Sequence, residues 1–239
     1  MTTLFISDLH LEDSQPAATG WLLDFLSGPA RTADALYILG DLFEYWIGDD
    51  ALSVTARQVA QATASLNAAG VPCYFMHGNR DFLLGEAYAS QAGLKLLPDT
   101  LLVDLYGTLT LLLHGDSLCT DDMEYQRFRK QSRNPEWQAR ILALSVEERL
   151  QLAQSARDAS IAHTGSISMD IMDVNETAVC DAFVEYGVKR MIHGHTHRPA
   201  FHKHSLKDGS EAERIVLSDW YNQGSYLRVN ADKVESITV

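Results

Sequence analysis

The chain has 239 residues, of which 46% are hydrophobic and 21% are charged, and this composition argues against a disordered or fibrous protein. Acidic residues outnumber basic ones by 32 to 19, so the formal net charge of −13 opposes general affinity for nucleic acid or anionic lipid. An anionic substrate therefore needs local positive charge, most simply from bound cations. The length favours a single domain, residues 1–239, around one core.

The cysteines are Cys73, Cys119 and Cys180, an odd and widely spaced set without a CxxC pair. This pattern is typical of reduced thiols in the cytosol and not of a disulfide framework. The first residues predict a strand, with no basic segment ahead of a long apolar one, so we expect no secretory signal. No apolar stretch approaches the roughly 18 to 20 residues of a spanning helix, so we expect a soluble or at most peripheral protein.

The N-terminal half predicts strands that alternate with helices, which indicates an α/β fold. Short apolar runs predict strands over residues 2–7, 35–39 and 73–76. Helical patterns predict helices over residues 17–26, from an N-cap at Ser53 to a stop at Gly70, and over residues 82–92.

The second half begins with a predicted hairpin, residues 101–105 and 108–113. A polar helical block follows from Asp121 to about residue 162, and its length predicts an inserted helical lid over residues 121–168. Two apolar stripes with helical spacing in this block either pack on the rest of the protein or form a hydrophobic substrate groove. The stripes are Trp137, Ile141 and Leu144, and Val146, Leu150 and Ala153.

After a predicted hinge over residues 164–168, the pattern predicts a helix over residues 174–186, opened by Asp173 or Asn175. A strand over residues 188–192 follows. The tail from residue 201 to 239 alternates apolar and polar residues around turn signals, so we expect it to add antiparallel strands.

Five of the apolar runs are each followed at once by Asp, Asn or His, and four of them by a nearby glycine. Ligands in open α/β sheets collect beyond the carboxyl ends of strands, so these five exits predict one site. The polar side chains at the exits are two carboxylates, four imidazoles and one amide, namely Asp8, His10, Asp41, Asn79, His114, His195 and His197.

This set of side chains is enough for two metal ions that share Asp41. Mixed oxygen and nitrogen donors without thiolate suit Mn²⁺, Fe or Zn²⁺. Two such ions clamp a phosphoryl group and lower the pKa of a water between them, which gives the nucleophile for an in-line displacement.

Each residue also has a simpler interpretation. Asp8 can cap a turn, and Asp41 and Asn79, beside glycines, can be turn residues. The histidines can be satisfied polar groups near a core. These alternatives are weaker jointly, since all these side chains need partners and a metal pair satisfies them together.

A resemblance to the calcineurin-like metallophosphoesterase superfamily is carried by five motifs in this order: Asp8-Leu9-His10, Gly40-Asp41, Gly78-Asn79, His114-Gly115-Asp116 and Gly194-His195-Thr196-His197. The resemblance implies an αββα sandwich of two sheets. It implies one metal on Asp8, His10, Asp41 and His197, and a second on Asp41, Asn79, His114 and His195.

Arg80 stands where most of the superfamily has a histidine that assists the leaving group. A phosphate leaving group, whose second pKa is about 6, departs without much help, and an arginine pairs a phosphate bidentately. Arg80 therefore favours pyrophosphate cleavage over phosphomonoester hydrolysis. The alternative is a surface or structural arginine paired to Asp81.

Longer blocks that span nearly the whole chain resemble the family of UDP-2,3-diacylglucosamine hydrolases of lipid A biosynthesis in Gram-negative bacteria. The blocks are residues 5–11, 35–44, 46–50, 77–83, 118–122, 170–174 and 192–199. The resemblance implies two Mn²⁺ ions, attack at the phosphorus on the UMP side, and release of UMP and 2,3-diacylglucosamine 1-phosphate (lipid X). It also implies that the lid holds the acyl chains and that the enzyme lies on the cytoplasmic face of the inner membrane, with no nucleic acid or obligate protein partner.

Carried over position by position, this resemblance assigns catalysis to Asp41, Asn79, Arg80 and His195, and substrate contacts to Asn79, Arg80, Asp122, Ser160, Thr164 and His195. Arg157 is a further candidate contact to phosphate or sugar from the lid. Asp122 can equally cap the helix that starts there, and Ser160 can be idle near a helix end.

The lid is less cationic than is general in that family, with Ile161, Gly165 and Ile167 at positions that are usually basic. We therefore expect membrane association through apolar lid surface and not through charge. Two other functions stay open. One is a phosphodiesterase or nucleotide pyrophosphatase acting on a soluble substrate, which an acyl-holding lid disfavours. The other is a metal-poor interaction module, which the presence of every expected ligand disfavours.

Overall fold

The computed structural model describes the backbone of residues 1–166 and 173–239 and the side chains of residues 1–159 and 173–239. The strands are β1 (Thr3–Ile6), β2 (Ala35–Leu39), β3 (Cys73–Met76), β4 (Leu94–Leu96), β5 (Thr100–Leu105), β6 (Thr108–Leu113), β7 (Arg190–His193), β8 (Ala200–Ser205), β9 (Glu211–Val216), β10 (Ser225–Val229) and β11 (Val234–Thr238). The helices are α1 (Pro16–Ser27), α2 (Val54–Ala68), α3 (Glu86–Ala92), α4 (Met123–Ser132), α5 (Pro135–Leu142), α6 (Val146–Ser166) and α7 (Glu176–Tyr186).

The strands form two sheets. The first has the order β11-β10-β1-β2-β3-β4, in which β1 to β4 run parallel. The second has the order β5-β6-β7-β9-β8, in which β6, β7 and β9 run parallel. Parallel neighbours need crossover connections, and α1, α2 and α3 provide them in the first sheet.

Three buried apolar clusters set the order of the layers. Leu4 and Ile6 of β1 pack with Leu22 of α1 in the first cluster, on the helical face of the first sheet. Phe5 points the opposite way and meets Ile192 of β7 in the second cluster, between the sheets, because successive side chains of a strand alternate. A third cluster joins the outer face of the second sheet to α7. The αββα sandwich expected from the sequence is confirmed.

Two predicted helix starts are confirmed by their caps. Ser53 Oγ accepts a hydrogen bond of 3.0 Å from the Ala56 N–H at the start of α2. Asn175 Oδ1 accepts one of 3.1 Å from the Ala178 N–H at the start of α7. Of the two candidates for opening α7, Asp173 and Asn175, the cap is therefore Asn175.

The predicted helix over residues 82–92 is wrong in its first turn, because α3 begins at Glu86. The Asp49 carboxylate accepts hydrogen bonds of 2.9 Å from the N–H groups of Gly85 and Tyr88, and these bonds fix the helix start. A carboxylate from a distant loop is invisible to a pattern read within residues 82–92.

The tail forms the expected antiparallel pairs β8–β9 and β10–β11. One pairing differs from the expectation, since β9 also lies parallel to β7, with Ile192 opposite Ile215. β8 takes the outer edge of the sheet, so β9 fills the place beside β7. The three-residue strand β4 is too short for its sequence to indicate.

Helices α4 to α6 occupy most of the segment predicted as a lid, and residues 167 and 168 lie outside the described part. Ile141 of the first apolar stripe packs against the first cluster, and the Trp137 ring lies 6.1 Å from that of Phe82. Val146 and Leu150 of the second stripe are exposed. The first stripe therefore packs partly on the body, and the second faces solvent at these two positions.

A buried arginine fastens α6 to the loop after Asp41. Arg149 is 3% exposed, and its guanidinium donates to the Asp50 carboxylate and to the Ile47 carbonyl oxygen. Buried guanidinium groups need such partners, so α6 is bound to this loop. None of the helices among the described residues is long and apolar enough to cross a bilayer.

The three cysteines differ in burial, and this difference predicts the order in which their thiols react. Burial raises the pKa of Cys73 and of Cys119 to about 12, whereas Cys180 is only partly buried. Because the thiolate is the reactive form, we expect iodoacetamide to modify Cys180 first in the folded protein, and Cys73 and Cys119 only after unfolding. Mass spectrometry of peptides from a time course measures this order, and the Cys180→Ser variant should lack the early product. Early modification of Cys73 in folded protein contradicts it.

Candidate metal centre

The candidate ligands lie beyond strands that end at the same edge of each sheet. Ile6 of β1 is opposite Ile38 of β2, and Leu39 is opposite Met76 of β3, so the three exits in the first sheet are level. In the second sheet β6 and β7 are likewise parallel neighbours. This register brings the exits of both sheets to one place, and the structure groups all the candidate ligands there.

The first group of ligands contains Asp8, His10 and His197, whose ligating atoms all lie within 4.8 Å of one another. His197 Nε2 is 3.5 Å from Asp8 Oδ1 and 3.3 Å from His10 Nε2. His10 Nε2 is also 3.8 Å from Asp41 Oδ2. Two ring nitrogens so close together, beside carboxylates, need a proton or a cation between them.

The second group contains His114, Asn79 and His195, and it is joined to the first through Asp41. Asn79 Oδ1 lies 3.0 Å from His114 Nε2 and 2.9 Å from His195 Nδ1. Asp41 Oδ1 is 3.8 Å from His114 Nε2, while the other Asp41 oxygen faces His10. Asp41 therefore lies between the two groups, where a shared ligand has to be.

The backbone is unusual at most of these residues. Five candidate ligands adopt positive φ, between 50° and 69°, namely Asp8, His10, Asp41, His195 and His197. Positive φ is uncommon outside glycine and costs of order 1 kcal/mol or more per residue. Such residues cluster at functional sites, because the surrounding structure must hold them there for a reason other than stability.

Two glycines let the loops of this site approach each other. A Cβ on Gly78 would overlap the carboxylate and backbone nitrogen of Asp41, and a Cβ on Gly194 would overlap the side chains of Asp8 and Ser7. The backbone N–H of His195 then donates to the Asp8 carboxylate at 2.9 and 3.0 Å. Only glycine allows these approaches, which explains the Gly-Asn and Gly-His pairs of the sequence.

Hydrogen bonds fix which ring nitrogen of two histidines faces the site. His114 Nδ1–H donates to the Leu39 carbonyl oxygen at 2.8 Å, and His10 Nδ1–H donates to Glu44 Oε2 at 2.8 Å. Nε2 of both rings is thereby left with its lone pair toward Asp41. An outer partner on the second ring nitrogen is the usual arrangement of metal-binding histidine.

The charges of the site shift its pKa values. Burial alone would raise the pKa of Asp8, but a hydrogen bond and the charges of neighbouring histidines hold it well below its usual value. Burial and the His114 charge lower the pKa of His195 to about 4. Burial alone would lower the pKa of His10, but the Glu44 hydrogen bond and nearby carboxylates raise it. The carboxylates that favour a proton on the His10 ring would equally favour a cation beside it. The donor set therefore suits divalent metal ions.

Arg80 does not pair with Asp81. The Asp81 carboxylate is buried and accepts hydrogen bonds from the backbone N–H groups of Leu42 (2.7 Å) and Gly78 (2.8 Å), so it ties the Asp41 loop to the Asn79 loop. The Arg80 side chain lies beside Glu44 instead, with Nη1 3.8 Å from Oε1. The alternative of an Arg80–Asp81 pair is therefore wrong.

The structure describes the side chains of two of the other predicted substrate residues, Arg157 and Asp122. Arg157 lies near the site, with Nε 3.3 Å from Glu44 Oε1. Asp122 Oδ1 accepts the Tyr125 N–H at 2.9 Å and so caps α4, the simpler of its two interpretations. The side chains of Ser160 and Thr164 lie outside the described residues, as does Ile167.

Sequence reasoning assigned no role to three residues that support the ligands. Asp116 is buried and accepts hydrogen bonds from the Tyr125 hydroxyl (2.7 Å) and from Arg129 Nε (2.9 Å). The Tyr221 ring stacks on His10 with centroids 5.2 Å apart. Glu44 is the third. Glu44 lies in the block of residues 35–44 and Asp116 in the motif His114-Gly115-Asp116, so both are close in sequence to a candidate ligand.

A further group of possible ligands, Glu176, Cys180 and His204, lies on the outer side of the second sheet. His204 Nδ1–H donates to Glu176 Oε1 at 2.7 Å, and Arg214 Nε donates to His204 Nε2 at 3.3 Å. Both ring nitrogens of His204 are therefore engaged. A metal on Nδ1 would move the proton to Nε2, against the Arg214 donor, so this group is better explained as a hydrogen-bonded chain.

Two similar proteins match this chain over nearly their whole length. The UDP-2,3-diacylglucosamine hydrolase of Xanthomonas oryzae pv. oryzae (strain PXO99A) is 54% identical over 241 residues, covering 98% of this chain and 97% of its own. The protein of the same name from Stenotrophomonas maltophilia (strain R551-3) is 54% identical over 240 residues, covering 97% and 96%. A solved archaeal phosphodiesterase aligns over the whole of both chains, with a TM-score of 0.49 and 12% identity.

The family model for calcineurin-like phosphoesterases matches residues 1–199. That range includes every candidate ligand, from Asp8 to His197, and both sets of strand exits. The chain therefore belongs to the calcineurin-like phosphoesterase family.

Proposed function

We propose that this protein hydrolyses the pyrophosphate bond of UDP-2,3-diacylglucosamine and releases UMP and 2,3-diacylglucosamine 1-phosphate (lipid X), a step of lipid A biosynthesis. The observation that carries the proposal is 54% identity to UDP-2,3-diacylglucosamine hydrolases over 98% of the chain. The geometry supports it, since the candidate ligands and two arginine side chains converge at one end of the sandwich.

The proposed cofactor is a pair of divalent cations, which we take to be Mn²⁺. Asp8, His10, Asp41 and His197 would hold one ion, and Asp41, Asn79, His114 and His195 the other. When bound, such ions neutralise phosphate charge and make water acidic enough to attack phosphorus near neutral pH. A chain with a formal charge of −13 depends on this positive charge to receive a diphosphate.

Asp41, Asn79, Arg80 and His195 are the proposed catalytic residues. The backbone N–H of Arg80 donates to Asp41 Oδ1 at 2.9 Å. The backbone of Arg80 is therefore bound to the carboxylate that the two ions would share. In our proposal the Arg80 guanidinium pairs with the substrate phosphate and steadies the negative charge of the leaving phosphate. A phosphate leaves without prior protonation, so no acid is required at this position.

The remaining substrate contacts are proposed for Arg157, Asp122, Ser160 and Thr164, together with Asn79, Arg80 and His195. The helices between residues 121 and 168 would form the lid that holds the acyl chains. The lid would attach the enzyme peripherally to the cytoplasmic face of the inner membrane. Apolar side chains on α4 to α6 support this part of the proposal, because Phe128, Leu142, Leu150 and Leu152 are exposed.

The first test is an assay of purified protein with Mn²⁺ and the acylated substrate, with both products identified by mass spectrometry. We expect UMP and the diacylglucosamine phosphate, and much slower turnover of UDP-N-acetylglucosamine, which lacks the acyl chains. Asp41→Ala should lower kcat/KM by more than about a hundredfold, since even outer partners of metal ligands are worth 10- to 100-fold. Asp232→Ala, at an exposed turn, is the matched control. Full activity of Asp41→Ala, or equal turnover of both substrates, would refute the proposal.

The second test addresses Arg80. Lysine keeps the charge but loses the planar pair of donors, so Arg80→Lys should lower kcat/KM by about ten- to a hundredfold, the equivalent of about 1.5 to 3 kcal/mol for hydrogen bonds to a charged group. Arg31→Lys, at an exposed site, is the control and should change nothing. Steady-state kinetics on the acylated substrate measures the ratio. An Arg80→Lys enzyme as fast as the wild type would show that charge alone is sufficient.

The third test addresses membrane attachment. Vesicle flotation should show binding that persists between about 0.1 and 1 M salt, where the Debye length falls from about 10 to 3 Å, because the attachment is apolar. Leu150→Glu should weaken binding, and Leu102→Glu, which changes a similarly exposed leucine on β5, should not. Release of the wild-type protein by salt would indicate a charged attachment instead.

A further inference from the structure

Glu44 lies between a candidate metal ligand and two arginines, Arg80 and Arg157, that are proposed to contact the substrate. Its Oε2 accepts the His10 Nδ1–H at 2.8 Å. Its other oxygen, Oε1, is 3.3 Å from Arg157 Nε and 3.8 Å from Arg80 Nη1. The two oxygens of one carboxylate thus serve two different parts of the site.

The position of Glu44 is fixed by its surroundings. Its N–H donates to the Leu11 carbonyl oxygen at 3.1 Å, and the preceding residue, Phe43, packs its ring 4.8 Å from Trp46. The Phe43 N–H faces the buried carboxylate of Asp81. Glu44 is 8% exposed, so its carboxylate cannot simply turn to solvent.

We propose that Glu44 is a positioning residue that couples metal binding to phosphate binding, by holding the His10 ring with one oxygen and gathering Arg80 and Arg157 with the other. The inference rests on the function proposed above. A carboxylate behind a histidine fixes the tautomer and raises the basicity of the ligating nitrogen. The negative charge also offsets the repulsion between two guanidinium groups at the mouth of the site until a diphosphate takes its place as their partner.

Glutamine cannot do both tasks, although it has the same shape. A carboxylate has two acceptor oxygens, whereas an amide has one acceptor and one donor group. In Glu44→Gln the amide oxygen should keep the His10 Nδ1–H, because that donor is buried, and the NH₂ group would then face the arginines. Metal binding should therefore survive better than substrate binding. Alanine removes both contacts.

The first measurement is Mn²⁺ affinity without substrate, from the free Mn²⁺ signal in electron paramagnetic resonance. We expect the Kd of the weaker-bound ion to rise by about ten- to a hundredfold in Glu44→Ala and by less than about tenfold in Glu44→Gln. The second is kinetics at saturating Mn²⁺, where Glu44→Gln should raise KM for the acylated substrate more than it lowers kcat. Circular dichroism and thermal unfolding establish that each variant is folded.

Glu12→Gln is the matched control. Glu12 Oε2 lies 3.4 Å from Arg157 Nη1, and its described contacts do not include His10, so Mn²⁺ affinity should not change. Wild-type Mn²⁺ affinity in folded Glu44→Ala, or an equal rise of the Mn²⁺ Kd in Glu12→Gln and Glu44→Ala, would overturn the inference. Those readouts need no turnover, so they are independent of the substrate. A wild-type protein that binds Mn²⁺ but leaves the acylated substrate intact would overturn the proposed function and not the metal-binding role of Glu44.

Discussion

The constraint on which this structure depends is the burial of several polar side chains at one place. Asp8, His10, Asp41 and His114 are each at most 6% exposed, and they lie within a few ångströms of one another. Removing carboxylates and imidazoles from water costs several kcal/mol unless they find partners. Hydrogen bonds to Glu44 and to the Leu39 carbonyl satisfy the outer nitrogens of two rings. The carboxylate oxygens and ring nitrogens that face into the site have mainly one another as neighbours. Bound divalent cations would give these atoms the partners that they need.

The same constraint explains why the local backbone departs from ordinary rules. Five candidate ligands at positive φ and two close loop approaches that only glycine allows are unfavourable in isolation. These conformations persist because strong interactions with the surrounding residues hold the loops in place. Asp81, which accepts N–H groups from both the Asp41 and the Asn79 loops, is one of these interactions. The site therefore draws on the stability of the sandwich around it.

Much of this arrangement can be predicted from the sequence, and the predictions that were wrong have a common cause. Apolar runs that end at Asp, Asn or His located the strands and every candidate ligand, because strand exits in parallel sheets meet at one edge. The start of α3, set by Asp49, and the place of β9 beside β7 depend on partners distant in the chain. The same holds for Arg80, which faces Glu44 and not the adjacent Asp81. Local patterns carry no information about such pairings, nor about which residue stands behind a ligand.

The division of ligands between the two sheets has a consequence for how the protein matures. The first proposed ion takes Asp8, His10 and Asp41 from one sheet but needs His197 from the other, and the second ion is likewise divided between the sheets. The first sheet is itself incomplete until β10 and β11 have been synthesised. A nascent chain on the ribosome therefore has no finished pocket for either cation. Either cation therefore finds its full set of candidate ligands only after strands of both sheets have been made and have packed together.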